Sequence, residues 1–325
     1  MNRSVSVIAG LLVETGILVF LLFGTASAGE AGTHLPEGFY ATLQGENAVM
    51  DLNEKRTWSA GQSMTYVAVN PGQGVVMATS SAENHIYCYD AEDGKRLARI
   101  AVGKTPKGIK IGPRGEYAIA ANEGSGSISV IDVDSLEVIE EIAVGPVPHS
   151  SVFSPDGARA YIALQGGQSV AVIDMDRLEK VDELPAGKAP HNMDISADGK
   201  TLYTANIGSE DLTAIDIPAK RIIGRVPLSA PHYGVDVIPG GEYVLVTGIA
   251  GSVVNVIDTE PLGRIRQIEV GQGPHGVRAD PEGRYAYVAV TSRDELVVID
   301  LETLDVTERL DAGQFPFWIA IEGNP

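Results

Sequence analysis

The chain has 325 residues, a formal net charge of -19 and one cysteine, with hydrophobic residues at 44% and charged residues at 21%. Such a chain buries a core, and a single Cys excludes a disulfide framework or a Cys-rich zinc or iron–sulfur site. The balance of 43 Asp and Glu against 24 Lys and Arg opposes a duplex DNA or RNA partner, because the summed field repels phosphate.

Residues 1–28 read as a signal peptide. Arg3 gives a positive start, an apolar stretch runs from Val5 to Phe23 with Glu14 and Thr15 inside it, and Ala26-Ser27-Ala28 is an A-x-A cleavage site. The uninterrupted apolar run after Thr15, Gly16 to Gly24, is too short to span a bilayer. The mature chain is therefore expected to start at Gly29, to lack a membrane span, and to work as a monomer in the periplasm or outside the cell. Residues 29–37 read as a linker, and 38–325 as one repeat domain.

A small residue recurs at Gly61, Gly103, Gly145, Gly187, Ser229, Gly271 and Gly313, in steps of 42. A turn glycine recurs at Gly115, Gly157, Gly199, Gly241 and Gly283, in the same steps. Asp follows an apolar pair at Asp90, Asp132, Asp174, Asp216, Asp258 and Asp300, with Asp51 as an earlier copy. Within one copy the pattern is β. Ser151–Phe153 is a short strand, and Ser154-Pro155-Asp156-Gly157 is a turn in which Pro sets φ and Gly accepts positive φ. Ala160–Leu164, Val170–Ile173 and the more polar Glu179–Leu184 follow as second, third and fourth strands.

Four strands per copy and no helical period predict an all-β, seven-bladed β-propeller. The N-terminal copy begins at Phe39 with a second strand, continues through Asn47–Leu52 and Lys55–Ser59, and lacks an inner strand. Phe315–Ile321 is an inner strand without a sheet of its own, so the C-terminal strand is expected to close the N-terminal blade.

The segments Ser154-Pro155-Asp156-Gly157, Leu202-Tyr203-Thr204-Ala205-Asn206, and Ser129-Val130-Ile131-Asp132 followed by Ile142-Ala143-Val144-Gly145 resemble the YVTN family of bacterial and archaeal seven-bladed propellers. The resemblance covers Gly38 to the C-terminus and implies the fold. It does not choose a function, because that family includes surface proteins, a nucleic-acid-binding periplasmic member and relatives of the haem d1 domain of nitrite reductase.

Four of the six histidines share one phase of the repeat. His149, His191, His232 and His275 each follow a Pro, and Lys107, Phe317 and Thr65 hold the same slot in other copies. In a propeller this slot links one blade's outer strand to the next blade's inner strand, at the rim of the central channel. Imidazoles converging there would bind copper or zinc, or serve a haem as axial ligand. Duplication alone also copies a residue without a function, so the four positions need not meet at one point. The turns between second and third strands open on the same face and add Glu123, Gln165, Asn206 and Arg293. Three residues into the inner strands, Lys110, Asp194 and Arg278, with Asp236 close by, line the channel with mixed charge or pair with one another. Cys88 takes a strand position held by Val130 and Val172 elsewhere and reads as a packing residue.

The sequence contains no G-x-S-x-G, H-E-x-x-H, C-x-x-C-H or P-loop motif. The leading expectation is an exported binding protein. It presents Lys107, Glu123, His149, His191, Asn206, His232, His275 and Arg293 to a small ligand, metal or tetrapyrrole, or to a periplasmic protein. The alternatives are a haem d1-type oxidoreductase relative or a lactone-cleaving enzyme, with His as base or ligand, and a structural envelope scaffold.

Overall fold

The computed structural model describes residues 35–70, 72, 74–231 and 233–324, so the signal peptide and His232 lie outside the described residues. Seven four-stranded antiparallel sheets form the seven blades, and one 3-10 turn, Thr291–Arg293, is the only helical element among the described residues. No helix of the described residues is long and apolar enough to cross a membrane.

Blade 4 shows how the repeat folds. Its strands are Pro148–Phe153, Arg159–Leu164, Ser169–Asp174 and Glu179–Pro185, in that order from the channel outward. The first three are almost wholly buried and the outer one alternates, because only the outer strand has solvent on one side. The inner strands of blades 2 to 7 are Met64–Val69, Pro106–Ile111, Pro148–Phe153, Pro190–Ile195, Val235–Val237 and Pro274–Ala279. The inner strand of blade 1 is the C-terminal Pro316–Ile321, paired with Phe39–Leu43 so that Tyr40 faces Ala320 and Thr42 faces Trp318. This closure removes the unpaired edge that an N-terminal blade would otherwise expose.

Two periodic features have direct physical roles. Gly115, Gly157, Gly199, Gly241 and Gly283 all have φ between 68° and 77°, the left-handed region that a Cβ disfavours. The strand-ending aspartates accept backbone N–H groups two or three residues ahead, as Asp90 does from Glu92 at 2.9 Å, Asp132 from Ser135 at 2.7 Å and Asp300 from Thr303 at 2.8 Å. Part of the net charge is therefore a turn device repeated around the ring.

The core is the set of interfaces between neighbouring blades. Ile119, Ile128 and Val130 of blade 3, for example, pack on Phe153, Ile162 and Ile173 of blade 4. Cys88 is fully buried among Tyr87, Tyr89, Met77 and Trp58, in the packing position expected of it.

Candidate functional site

In blades 3, 4, 5 and 7 the slot is the second residue of the inner strand, after its Pro, and the strand pairing is irregular there. The register shifts between Pro148 and Ser151, between Pro190 and Asn192, between Pro106 and Ile109, and between Pro274 and Val277. Each irregularity spans the slot residue, and a bulge re-aims a side chain that regular pleating would direct elsewhere. The slot carbonyls are also tied between blades. Ser150 Oγ donates to His191 O at 2.7 Å, Asn192 Nδ2 to Tyr233 O at 2.6 Å, Thr247 Oγ1 to His275 O at 2.7 Å and Thr65 Oγ1 to Lys107 O at 3.3 Å. This tie sets the slot residues around the upper end of the channel.

A cavity of about 370 Å³ opens at that end, with Lys107, Glu123, His149, Gln165, His191, His275 and Phe317 in its wall and Tyr66 at its base. His149 and His191 stack with ring centroids 3.8 Å apart and planes at 27°. His275 lies against Phe317 at 3.6 Å. His149 Nδ1 is 2.6 Å from Glu123 Oε1 and its Nε2 is 3.1 Å from Tyr66 Oη. Both nitrogens of that imidazole are thus engaged by protein groups. Tyr66 Oη also donates to Asn192 Oδ1 at 2.9 Å, and burial keeps this phenol protonated far above the ordinary range.

The structure places the sequence-derived candidates unevenly. Lys107, Glu123, His149, His191 and His275 share the upper cavity. The 42-residue step puts Tyr233 in the slot of blade 6 rather than His232, which is one residue out of phase and lies outside the described residues. Asn206 turns into its own blade, where its Nδ2 donates to Asp211 Oδ1 at 2.6 Å and to Thr213 Oγ1 at 3.0 Å. A Cβ on Gly187 would come within 2.4 Å of that Nδ2, so the recurring glycine there makes room for a blade-internal amide. Arg293 is exposed beside Glu295 at 3.9 Å, away from the cavity wall. His85 is held by the carbonyl of Glu83 at 2.6 Å. Among the described residues, no group of three or more His, Cys, Asp or Glu side chains is placed to hold a metal ion.

Tyr66 was not among the sequence candidates, although a signal for it exists. At the position after the slot the seven blades carry Tyr66, Gly108, Ser150, Asn192, Gly234, Gly276 and Trp318. Two large rings stand where the other blades have small or short residues. A Cβ on Gly108 would come within 2.7 Å of His149 O, and one on Gly234 within 2.4 Å of His275 O. The small residues let the inner strands close up, and the two rings, 4.2 Å apart, occupy the axis.

Below them is a second layer, one residue per blade: Ala68, Lys110, Val152, Asp194, Asp236, Arg278 and Ala320. Arg278 Nη1 donates to Asp236 Oδ1 at 3.1 Å, and Asp236 Oδ2 accepts from Ala279 N at 2.7 Å. Burial, with Asp194 adding, raises the Asp236 carboxyl despite the pull of Arg278. The Arg278 guanidinium also lies over the Trp318 ring at 5.3 Å. Of the two alternatives for these charges, pairing holds for Arg278 and Asp236, and lining the channel holds for Lys110.

No protein-family model matches this sequence, and no curated protein matches it. Solved structures do resemble the fold. Hydrazine synthase of Kuenenia stuttgartiensis superposes with a TM-score of 0.72 at 23% identity, over 80% of this chain and 89% of that one. A functionally unknown protein from Desulfotomaculum acetoxidans superposes at 0.72 and 16% identity, over 87% and 98%. The dihydro-haem d1 dehydrogenase NirN, in complex with DHE, superposes at 0.66 and 16% identity, over 92% and 79%. The chain is a seven-bladed β-propeller, and its structural neighbours include a d1-type protein, in line with the resemblance read from the repeats.

Proposed function

We propose that the upper mouth of the channel binds a flat conjugated ligand with acidic substituents, of the tetrapyrrole class, in a protein exported from the cytoplasm. The observation that carries this reading is the pair of ring stacks, His149 on His191 and His275 on Phe317, in the wall of one 370 Å³ cavity. Flat side chains favour flat ligands through offset and edge contacts. Lys107, Gln44 and Gln165 add donors for acid groups at the rim. The donor chemistry therefore fits a tetrapyrrole, which when bound would supply redox chemistry that the chain's own residues lack. The likeness to NirN in complex with DHE supports the same class.

Haem added to the purified mature protein should shift its Soret band in a saturable titration. His191→Ala and His275→Ala should each weaken binding about tenfold or more, since tenfold corresponds to about 1.4 kcal/mol. An unshifted spectrum, or variants that bind as the parent does, would sink the proposal. Copper or zinc without a macrocycle is the second reading, favoured by the recurrence of His at the slot in blades 4, 5 and 7. Metal analysis after incubation and gel filtration tests it, and a metal-free product rejects it. Cell fractionation with N-terminal sequencing tests export, with Gly29 expected as the first residue.

A further inference from the structure

The opposite end of the channel holds a site of a different kind. The turns that follow the inner strands form a second cavity of about 300 Å³, walled by Phe153, Pro155, Ile195, Ile238 and Pro239, with Lys110 at its inner end. Lys110 also lines the small enclosed space of about 40 Å³ between the two mouths, so its side chain stands at the junction. Its place in the charged layer explains why it has no counter-ion. Its neighbours in that layer are Ala68 and Val152. Both acids across the channel are already used. Asp194 accepts Ile195 N at 2.9 Å and Val237 N at 2.7 Å, and Asp236 holds Arg278 and Ala279 N. Among the described residues the Lys110 ammonium forms no ion pair.

We propose that Lys110 is a nucleophilic amine and that the lower cavity admits small aldehydes or ketones with an apolar body, which condense with it. In the step, the Nζ lone pair forms a C–N bond to the carbonyl carbon, and a proton passes from nitrogen to oxygen to give a carbinolamine. Loss of water then gives an imine, with no change of oxidation state and no co-reactant. An amine set in apolar surroundings beside another cation is one established way to activate a lysine. The groups that face Lys110 are Arg278 from blade 7, Asp194 from blade 5, Asp236 from blade 6 and the neutral Tyr66 from blade 2. Burial lowers its ammonium to about 7, Arg278 adding to the effect and the two acids opposing it. The apolar wall selects the body of the ligand, since a pocket with few polar groups favours uncharged carbon frameworks.

The test is reductive trapping of the whole mature protein with benzaldehyde and cyanoborohydride, followed by peptide mass spectrometry. The Lys110 peptide should gain a benzyl group at least about tenfold faster than exposed Lys200 and Lys220, with half-maximal rate near neutral pH. Lys110→Arg should abolish that label. Ala197→Trp, at an exposed position on the lower mouth, should slow it while leaving the labelling of Lys200 and Lys220 unchanged. Labelling spread over the lysines by exposure overturns the proposal. So does a Lys110 rate that climbs only in the ordinary ammonium range near pH 10, or reversible binding of benzaldehyde without an adduct. The upper-mouth variants His191→Ala and His275→Ala serve as a separate control, and labelling of Lys110 should be the same in them.

Discussion

Tyr66 and Asn192 lie 126 residues apart, and the phenol of blade 2 donates a 2.9 Å hydrogen bond to the amide of blade 5. The same hydroxyl sits 3.1 Å from His149 of blade 4. One side chain therefore spans the axis, joins three blades and forms the floor of the upper cavity.

Tyr66→Phe removes only that hydroxyl and leaves a buried amide oxygen short of its donor. A loss of about 1–3 kcal/mol in unfolding free energy is expected, read from the urea midpoint at unchanged slope. An unshifted midpoint would mean that water replaces the hydroxyl at no cost.

Arg278→Met should be the more damaging change, because Asp236 is fully buried and would lose the cation that compensates it, so that it must stay unpaired or take up a proton. Removing one partner of such a pair costs about 3–5 kcal/mol. Adding Asp236→Asn to the variant should recover much of the loss. Equal instability of the single and double variants would contradict the pairing.

Cys88 should resist thiol reagents in the native protein and react fully once unfolded. It is buried, and burial pushes its thiol up to about 12. A thiolate is the reacting species, so both access and ionisation oppose modification. Rapid native labelling with a chromogenic disulfide would show that blade 2 opens.

Acid should weaken the fold in a defined window. Backbone N–H and serine hydroxyl groups hold Asp132 below its ordinary 3.8, and the Ser154 hydroxyl with the Ala158 N–H does the same for Asp156. A carboxyl depressed in the folded state contributes stability that is complete above its unfolded value and is lost as pH falls through the folded one. The gap in urea midpoint between the parent and a variant carrying Asp132→Asn and Asp156→Asn should therefore be level above about pH 5 and narrow steadily below about pH 4. A gap that does not change with pH would mean that the ionisation of these two carboxylates contributes nothing to stability.

The architecture was legible in the chain because the spacing itself is the signal. The step of 42 residues, the turn glycines and the strand-ending aspartates each impose a local backbone requirement, and local requirements show in local sequence. The boundaries of blade 4 agree with that reading to within a residue or two at most ends, the inner strand starting earlier, at Pro148 rather than Ser151. The early start is the bulged segment, whose irregular pairing alternation alone does not report.

The site was only half legible. Repetition placed Lys107, His149, His191 and His275 on one rim, since equal phase means equal height in a ring. It also nominated Asn206, whose phase is right but whose amide is drawn inward by Asp211 and Thr213. Phase sets where a Cα lies, and competing hydrogen bonds set where the side chain points.

What the sequence determined by itself is the ring: blade number, closure by the last strand, and the level at which each repeated position lies. Only the tertiary structure decided which side chains meet across the axis. Tyr66, His149 and Asn192 come from three different blades, and so do Lys110, Asp236 and Arg278. Contacts between blades depend on the width of the channel and on which positions are glycine, and the radius of a ring is a property of all its blades together.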